Sequence, residues 1–225
     1  AIGVSANKED QSYFGVHFPE DYDYPMERIP LSWSDLQIAA AGGGIQATLQ
    51  PTRAATDAQL VELTRARLAS ALRHGTTTIE VKSGYDLTVE GELRLLRCIA
   101  AAHVDGGPHI VPTLLAHLVP AERTSDRDRY VDSICHELIP RARGLATSVD
   151  IYCDEGAYTL AETRSILTAA ASHGFAMRGH VGQFKDLGAA ELLAELGAKS
   201  ADHVEQITEA GIAALAHAGV VAVML

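Results

Sequence analysis

Cysteine is scarce in this sequence: there are three in 225 residues, Cys98, Cys135 and Cys153, and no CxxC pair among them. An odd, scattered set excludes a disulfide framework and a zinc knuckle, so the thiols are expected to be reduced and buried as small hydrophobes. Basic residues are also in short supply, 18 Lys and Arg against 29 Asp and Glu, for a formal net charge of -11. That balance argues against a phosphate-binding surface and therefore against nucleic acid as a partner. Long apolar runs are missing too. The longest, such as Gly219 to Leu225, are strand-sized, and no basic stretch followed by an apolar segment opens the chain. Neither a membrane partner nor a secretory leader is expected, which leaves a soluble, cytoplasmic protein as the expectation. No GxGxxG follows a strand and no GxxxxGK[ST] occurs, so dinucleotide and P-loop readings lose their main sequence support.

What is present is enough apolar material for one sizeable core, 47% hydrophobic residues with 21% charged, at a length usual for a single α/β barrel. From Thr56 onward helical and strand periods alternate. Thr56 or Asp57 caps a helix that runs to His74, with Gly75 behind it, and the β-branched run Thr76 to Val81 follows. Thr88 caps a helix carrying Leu93, Leu96 and Ile99, which leads into an apolar strand, Ile110 to Leu115. A helix around Arg129 to Arg143 precedes the strand Val149 to Tyr152, and Thr159 with Glu162 spells a capping box for a helix that stops at Gly174. Ala176 to His180 is the next strand, Asp186 to Leu196 the next helix, Ser200 to Glu205 a short strand, and Thr208 caps a helix that ends at Gly219. The sequence stops inside a last apolar run, Val220 to Leu225, which suggests that further chain followed. Nearly continuous apolar strands joined by helices predict a parallel sheet covered on both faces, either an open doubly wound sheet or, preferred here, a (β/α)8 barrel. The first forty residues break any period, although Ser12 to Phe18 reads as a strand, and Ala41 to Gly44 reads as a glycine turn.

Ten histidines in an acidic chain invite a search for a metal or acid/base site. His74, His103, His173 and His217 fall in last turns of expected helices, where an imidazole complements the helix dipole. His136 falls on a helix exterior and His109 at a strand start, the stability end of a barrel. What remains is His117, His180 and His203, each at or just past the C-terminal end of an expected strand, where barrel enzymes place their working groups. Lys82 and Tyr85, Gln183, Asp202 and Glu205 stand near them in sequence. Lys82 suits a strand-end cation paired with a carboxylate, and the Tyr85 phenol can hydrogen-bond a ligand at the strand mouth.

Several stretches together resemble the imidazolonepropionase family. His74 to Tyr85, with its Glu80-Val81-Lys82-Ser83-Gly84-Tyr85 ending, is similar to the family's second-strand signature. Ala41 to Ile45 with Ala54-Ala55-Thr56, Leu115 to Pro120, Asp150 to Gly156, Gly179 to Phe184 and Ser200 to Glu205 are similar to further family segments, in the same order. The resemblance covers about Ser32 to Leu225 and implies an amidohydrolase-type (β/α)8 TIM barrel, α/β in class. Its activity would be hydrolysis of the cyclic amide 4-imidazolone-5-propanoate to N-formimidoyl-L-glutamate in histidine degradation, with one zinc or iron ion and a small-molecule substrate as partner. The resemblance further implies His180 as a metal ligand, His203 beside the reacting carbonyl, Tyr85 and His117 as substrate-binding residues, and Gln183 near the ligand in a catalytic role. An amide can orient water or a ring nitrogen but cannot serve as a general base. Family members are often dimers, so a homodimer is an assembly to expect.

Two departures qualify the resemblance. The family's first-strand His-x-His metal pair has no intact counterpart, and only Gly15-Val16-His17 comes near it, with His17 in the place of the second histidine. The eighth-strand aspartate and the small β domain built from the two chain ends are not in this sequence, so the barrel is expected to be incomplete, with residues 1–31 unassigned and 32–225 forming the barrel domain. The alternatives are a metal-deficient, non-catalytic ligand-binding homologue and a related amidohydrolase acting on another cyclic amide.

Overall fold

The computed structural model describes residues 45–224; the expectations for residues 1–31, for His17, for the glycine turn at 41–44 and for Leu225 lie outside them. Helix α1 (Ile45–Ala54) opens the described chain with Pro51 inside it, an element the sequence reading did not anticipate because an internal proline usually ends a helix. Helix α2 (Asp57–Arg73) starts where expected, with Thr56 and Gln59 forming a reciprocal capping box that satisfies two otherwise orphaned amides. The remaining elements follow as β1 (Thr78–Lys82), α3 (Val89–Ala101), β2 (His109–Ala116), α4 (Arg127–Ser133), β3 (Ser148–Cys153), α5 (Leu160–Ser172), β4 (Ala176–Val181), α6 (Ala189–Leu196), β5 (Ser200–His203), α7 (Glu209–Ala218) and β6 (Val221–Val223).

Several boundaries differ from expectation. The helix expected around Arg129 to Arg143 is broken in character: α4 passes through a π turn, Ile134–Leu138, into a last α turn, Ile139–Arg141, and a 3-10 turn, Ala121–Asp126, precedes it. Helix α6 begins at Ala189 rather than Asp186, because the Asp186 carboxylate accepts the N–H groups of Gly188 and, across a gap in sequence, Thr208. Strand β5 ends at His203 rather than Glu205, where His203 and Val204 take φ values of 78° and 64° and turn the chain. His103 lies just past the Ala102 C-cap of α3 rather than within its last turn.

All six strands are parallel and pair in sequence order. The sheet is strongly curled, and side-chain reach demonstrates it. Strands β1 and β5 are four places apart in the order, about 19 Å across a flat sheet at ~4.8 Å per strand. Yet Lys82 Nζ on β1 lies 3.1 Å from Asp202 Oδ2 on β5, and Arg178 Nε on β4 lies 3.1 Å from Glu80 Oε1 on β1. The described chain is thus a six-stranded half-barrel with helices on its convex side. The core lies between them: Leu114, Val149, Ile151 and Val181 from the strands pack with Leu96, Ile139, Ile166 and Leu193 from the helical layer. Burying each such side chain contributes about 1.5 to 3 kcal/mol. Strand β3, central in the order, is buried along its whole length. Gly179 on β4 lets α6 approach, since a Cβ there would lie 2.9 Å from Leu193 Cδ1. Cys98, Cys135 and Cys153 are free and buried, as expected. Among the described residues no helix is long and apolar enough to cross a membrane.

Candidate active site at the C-terminal ends of the strands

Side chains alternate along a strand, so residues two apart share the concave face. Lys82, Asp150, His180 and Asp202, from β1, β3, β4 and β5, meet there near the C-terminal ends. The Lys82 ammonium lies 2.5 Å from Asp150 Oδ2, 3.1 Å from Asp202 Oδ2 and 3.5 Å from Glu80 Oε2. Burial opposes the lysine charge, but attraction by Asp150, Asp202 and Glu80 outweighs it and holds its pKa above the usual lysine range. Burial likewise opposes the Asp150 charge, and His180 and Lys82 outweigh it, holding the carboxyl well below the usual range. Asp150 is therefore a fixed anion.

Its second oxygen orients His180. Nδ1 of that imidazole is 3.1 Å from Asp150 Oδ1, and because an ionised carboxylate only accepts, Nδ1 carries the proton. Nε2 is then the lone-pair nitrogen, 3.9 Å from Asp202 Oδ2. A carboxylate behind a histidine is the usual support of a metal-ligating imidazole.

A line of rings leads away from this cluster along the rim. His180 and His203 have ring centroids 5.5 Å apart, His180 and Tyr152 6.3 Å, Tyr152 and His117 6.1 Å, and His117 and Tyr85 5.0 Å. His203 Nδ1 lies 3.5 Å from Glu205 Oε1, and burial and the neighbouring His180 lower its pKa, with Glu205 pulling the other way. His117 sits just past β2 with Nδ1 3.1 Å from the carbonyl of Gly84, which makes Nδ1 the donor and Nε2 the acceptor nitrogen. Burial, with the neighbouring His180 adding to it, pushes its pKa down to about 3, so it is neutral across the physiological range. Gln183 Oε1 accepts from the Tyr152 hydroxyl at 3.0 Å, which leaves its NH₂ as the group to offer a ligand. The Gln183 segment is itself pinned by buried Asp154, which accepts from the amides of Gln183, Phe184 and Lys185 at 2.7, 3.1 and 3.1 Å.

The structure thus brings together Tyr85, His117, His180 and His203, with Gln183 joined through Tyr152. It also gives Lys82 its carboxylate partners. Sequence reasoning missed Asp150 and the ligand character of Asp202. Asp150 interrupts an otherwise apolar strand, and that interruption was the available signal.

Asp150, His180 and Asp202 each offer a ligand atom, all within 4.8 Å of one another. The residues fit a cation on two counts. Asp202 Oδ1 is buried with no hydrogen-bond partner, an unfilled acceptor of the kind an ion fills. An imidazole nitrogen beside carboxylate oxygens is also a donor set suited to zinc or iron. Both Asp150 oxygens are engaged by Lys82 and His180, so within this cluster His180 Nε2 and Asp202 Oδ1 are the donor atoms left for an ion.

Known structures with the same chain path define the class. The chain matches a solved amidohydrolase with a TM-score of 0.56 at 15% identity, over 79% of this chain and 49% of that one. It matches A. niger ochratoxinase with a TM-score of 0.55 at 16% identity, over 77% of this chain and 47% of that one. At such identities these likenesses establish the fold alone, a curled parallel α/β half-barrel of the kind that these proteins contain. No family model matches the chain. Sequence relatives carry the identification further: imidazolonepropionase of Aeromonas salmonicida is 43% identical over 210 residues, 92% of this chain and 50% of the relative. The enzymes of Vibrio cholerae and Rhizorhabdus wittichii are 44% and 46% identical, over 84% of this chain and 48% of each relative. The chain belongs to the imidazolonepropionase family. It spans about half the length of the curated relatives it matches.

Proposed function

We propose that the protein containing this chain hydrolyses 4-imidazolone-5-propanoate to N-formimidoyl-L-glutamate, a step of histidine degradation. The observation that carries the reading is the convergence of Tyr85, His117, His180 and His203 on one rim of a half-barrel whose sequence relatives are imidazolonepropionases. In this reading the six strands are a contiguous run of a (β/α)8 barrel, and residues 32–225 belong to that barrel domain.

His180 Nε2 and Asp202 would hold the ion, zinc or iron, with Asp150 fixing the histidine from behind. When bound, the ion supplies Lewis acidity to the ring carbonyl and to water. The protein's own groups do the rest. Water adds across the ring C–N bond, its hydroxyl going to the carbonyl carbon and its proton to the departing nitrogen. His203, whose imidazole has its pKa lowered by burial and by His180, can take that proton from water and pass it on, or donate a hydrogen bond to the carbonyl oxygen. His117 offers its acceptor nitrogen to a ring N–H, the Tyr85 hydroxyl hydrogen-bonds the ligand from beside it, and the Gln183 NH₂ reaches an acceptor on the ring. The partner is a small molecule, the location cytoplasmic, and the assembly to test first is a homodimer.

A second reading is a ligand-binding homologue without metal. The Lys82 ammonium favours it, because it already stands between Asp150 and Asp202 where a cation would be sought. The readings separate in the full-length protein. Loss of imidazolone absorbance with added zinc or iron, together with bound metal that His180→Ala removes while the fold persists, supports hydrolysis. Absence of turnover and of bound metal, with tight metal-independent ligand binding by calorimetry, overturns it in favour of the second.

A further inference from the structure

We propose that Glu92, a buried carboxylate on α3 outside the ligand site, is the positioning residue that sets Tyr85 and His117 for substrate by gathering the backbone amides of the segment between β1 and α3. The inference rests on the reading of Tyr85 and His117 as substrate-binding residues.

The segment 83–88 has little regular structure to hold it. Gly84 sits at φ 103° and Leu87 at φ 65°, so two left-handed residues bracket Tyr85. Leu87 is strained there, since L-residues disfavour positive φ, and position 84 accepts only glycine, since a Cβ would lie 2.8 Å from Leu115 Cβ. The N–H groups that the turn exposes converge on one side chain. Glu92 Oε2 accepts from the Gly84 amide, and Oε1 accepts from the amides of Asp86 and Leu87 at 2.8 Å each. Glu92 is 2% exposed. Among the described residues it makes no ion pair, so amide dipoles and the N-terminal turn of α3 carry the compensation for its charge. Burial outweighs the pull of the amides and Ser83, so its pKa lies above the usual glutamate value.

Gly84 is then tied at both ends, its N–H to Glu92 and its carbonyl to His117 Nδ1 at 3.1 Å. The ring of Tyr85, next in the chain, packs edge-on against His117 with centroids 5.0 Å apart. One carboxylate thereby fixes the tautomer-selecting partner of His117 and the backbone that aims Tyr85. Arg53 on the Asp86 carbonyl and Tyr130 on the Leu87 carbonyl close the far side of the turn, so the amide side depends on Glu92.

Glu92→Gln in the full-length enzyme is the test. The amide keeps one acceptor oxygen and sets an NH₂ against a backbone N–H. The expected result is KM for 4-imidazolone-5-propanoate raised by about ten- to a hundredfold, the range for loss of a supporting partner behind a ligand-binding side chain, with kcat changed far less. Amide exchange at Gly84, Asp86 and Leu87 should accelerate while β3 and β4 stay protected, Glu92→Asp should recover part of the loss, and Glu92→Gln should combine non-additively with Tyr85→Phe. Unchanged KM with unchanged exchange in the segment overturns the proposal, as does faster exchange throughout the chain with kcat and KM affected alike. If Glu92→Gln does not fold, Glu92→Asp carries the same two readouts, and wild-type values in both overturn it. If Tyr85→Phe and His117→Gln leave KM unchanged, the substrate-binding reading itself has failed. The exchange data then report separately on Glu92.

Discussion

Two polar layers line the concave face of the same sheet, and they are built alike but finished differently. The lower one joins Glu80, Thr113, Ser148, Arg178 and Ser200; the upper one joins Lys82, Asp150, His180 and Asp202. Four strands contribute to both, through residues two apart: Glu80 and Lys82, Ser148 and Asp150, Arg178 and His180, Ser200 and Asp202. In the lower layer one anion meets one guanidinium at 3.1 Å, and hydroxyls fill in, Thr113 donating to Glu80 at 2.5 Å and Arg178 donating to Ser148 and Ser200 at 3.4 and 3.1 Å. In the upper layer two carboxylates share one ammonium and a Nδ1–H, and Asp202 Oδ1 has no partner. The lower layer closes its charges and holds the barrel together. The upper layer keeps an acceptor unfilled at the strand ends, where the proposed function puts a cation.

The largest effects come from removing the cation of each layer. Lys82→Met leaves Asp150 and Asp202 without their ammonium and should cost about 3 to 5 kcal/mol of unfolding free energy. Arg178→Met should cost about 1 to 3 kcal/mol, since Glu80 retains the Thr113 hydroxyl and has Lys82 at 3.5 Å. Added zinc sharpens the contrast. It should raise the melting temperature of Lys82→Met, where it can replace the lost charge, and leave Arg178→Met unchanged; equal response in both variants would erase the distinction between the layers.

Comparable in size is a pH effect confined to the upper rim. His117 has its pKa pushed down to about 3 in the folded chain, whereas in the unfolded chain it titrates near about 6.5. Between those values the unfolded state binds the extra proton, so the contribution is complete above pH about 6.5 and is lost as pH falls toward 3. The slope approaches about 1.4 kcal/mol per pH unit. Denaturant unfolding of His117→Gln between pH 7 and pH 4 should show that slope reduced, and an unaltered slope would mean that other groups carry it.

Much of this frame was legible in the sequence, and what was not has physical causes. Thr56, Thr88, Thr159 and Thr208 announced four helices because a cap is a local event, and all four accept the amide three residues on. His117, His180 and His203 were found by their place at strand ends, which alternation alone supplies. Helix α1 was hidden by Pro51 and the π turn by its ordinary helical periodicity. Asp186 was read as the first residue of a helix and instead bridges to Thr208, a partner that only the folded chain provides. The meeting of Lys82 with Asp202, 120 positions apart, needs the curl of the whole sheet, so a strand-by-strand reading has no access to it.

The smallest effects give the finest test of the comparison. Ser148→Ala removes a hydroxyl from the lower layer, where Ser148 lies 3.0 Å from the Thr113 hydroxyl and 3.4 Å from Arg178 Nε. It should cost about 1 kcal/mol with metal stoichiometry unchanged. Asp202→Asn in the upper layer should behave in the opposite way. Its carbonyl oxygen can still accept from Lys82, and removing the charge relieves an unpartnered buried oxygen, so metal-free stability should shift by less than about 1 kcal/mol. Metal content should nevertheless fall, because a neutral amide is a far poorer ligand than a carboxylate. Unfolding midpoints and metal analysis on these two variants therefore place stability and metal binding in different layers. A stability loss in Asp202→Asn with full metal occupancy would show instead that the upper layer, like the lower, is there to hold the strands together.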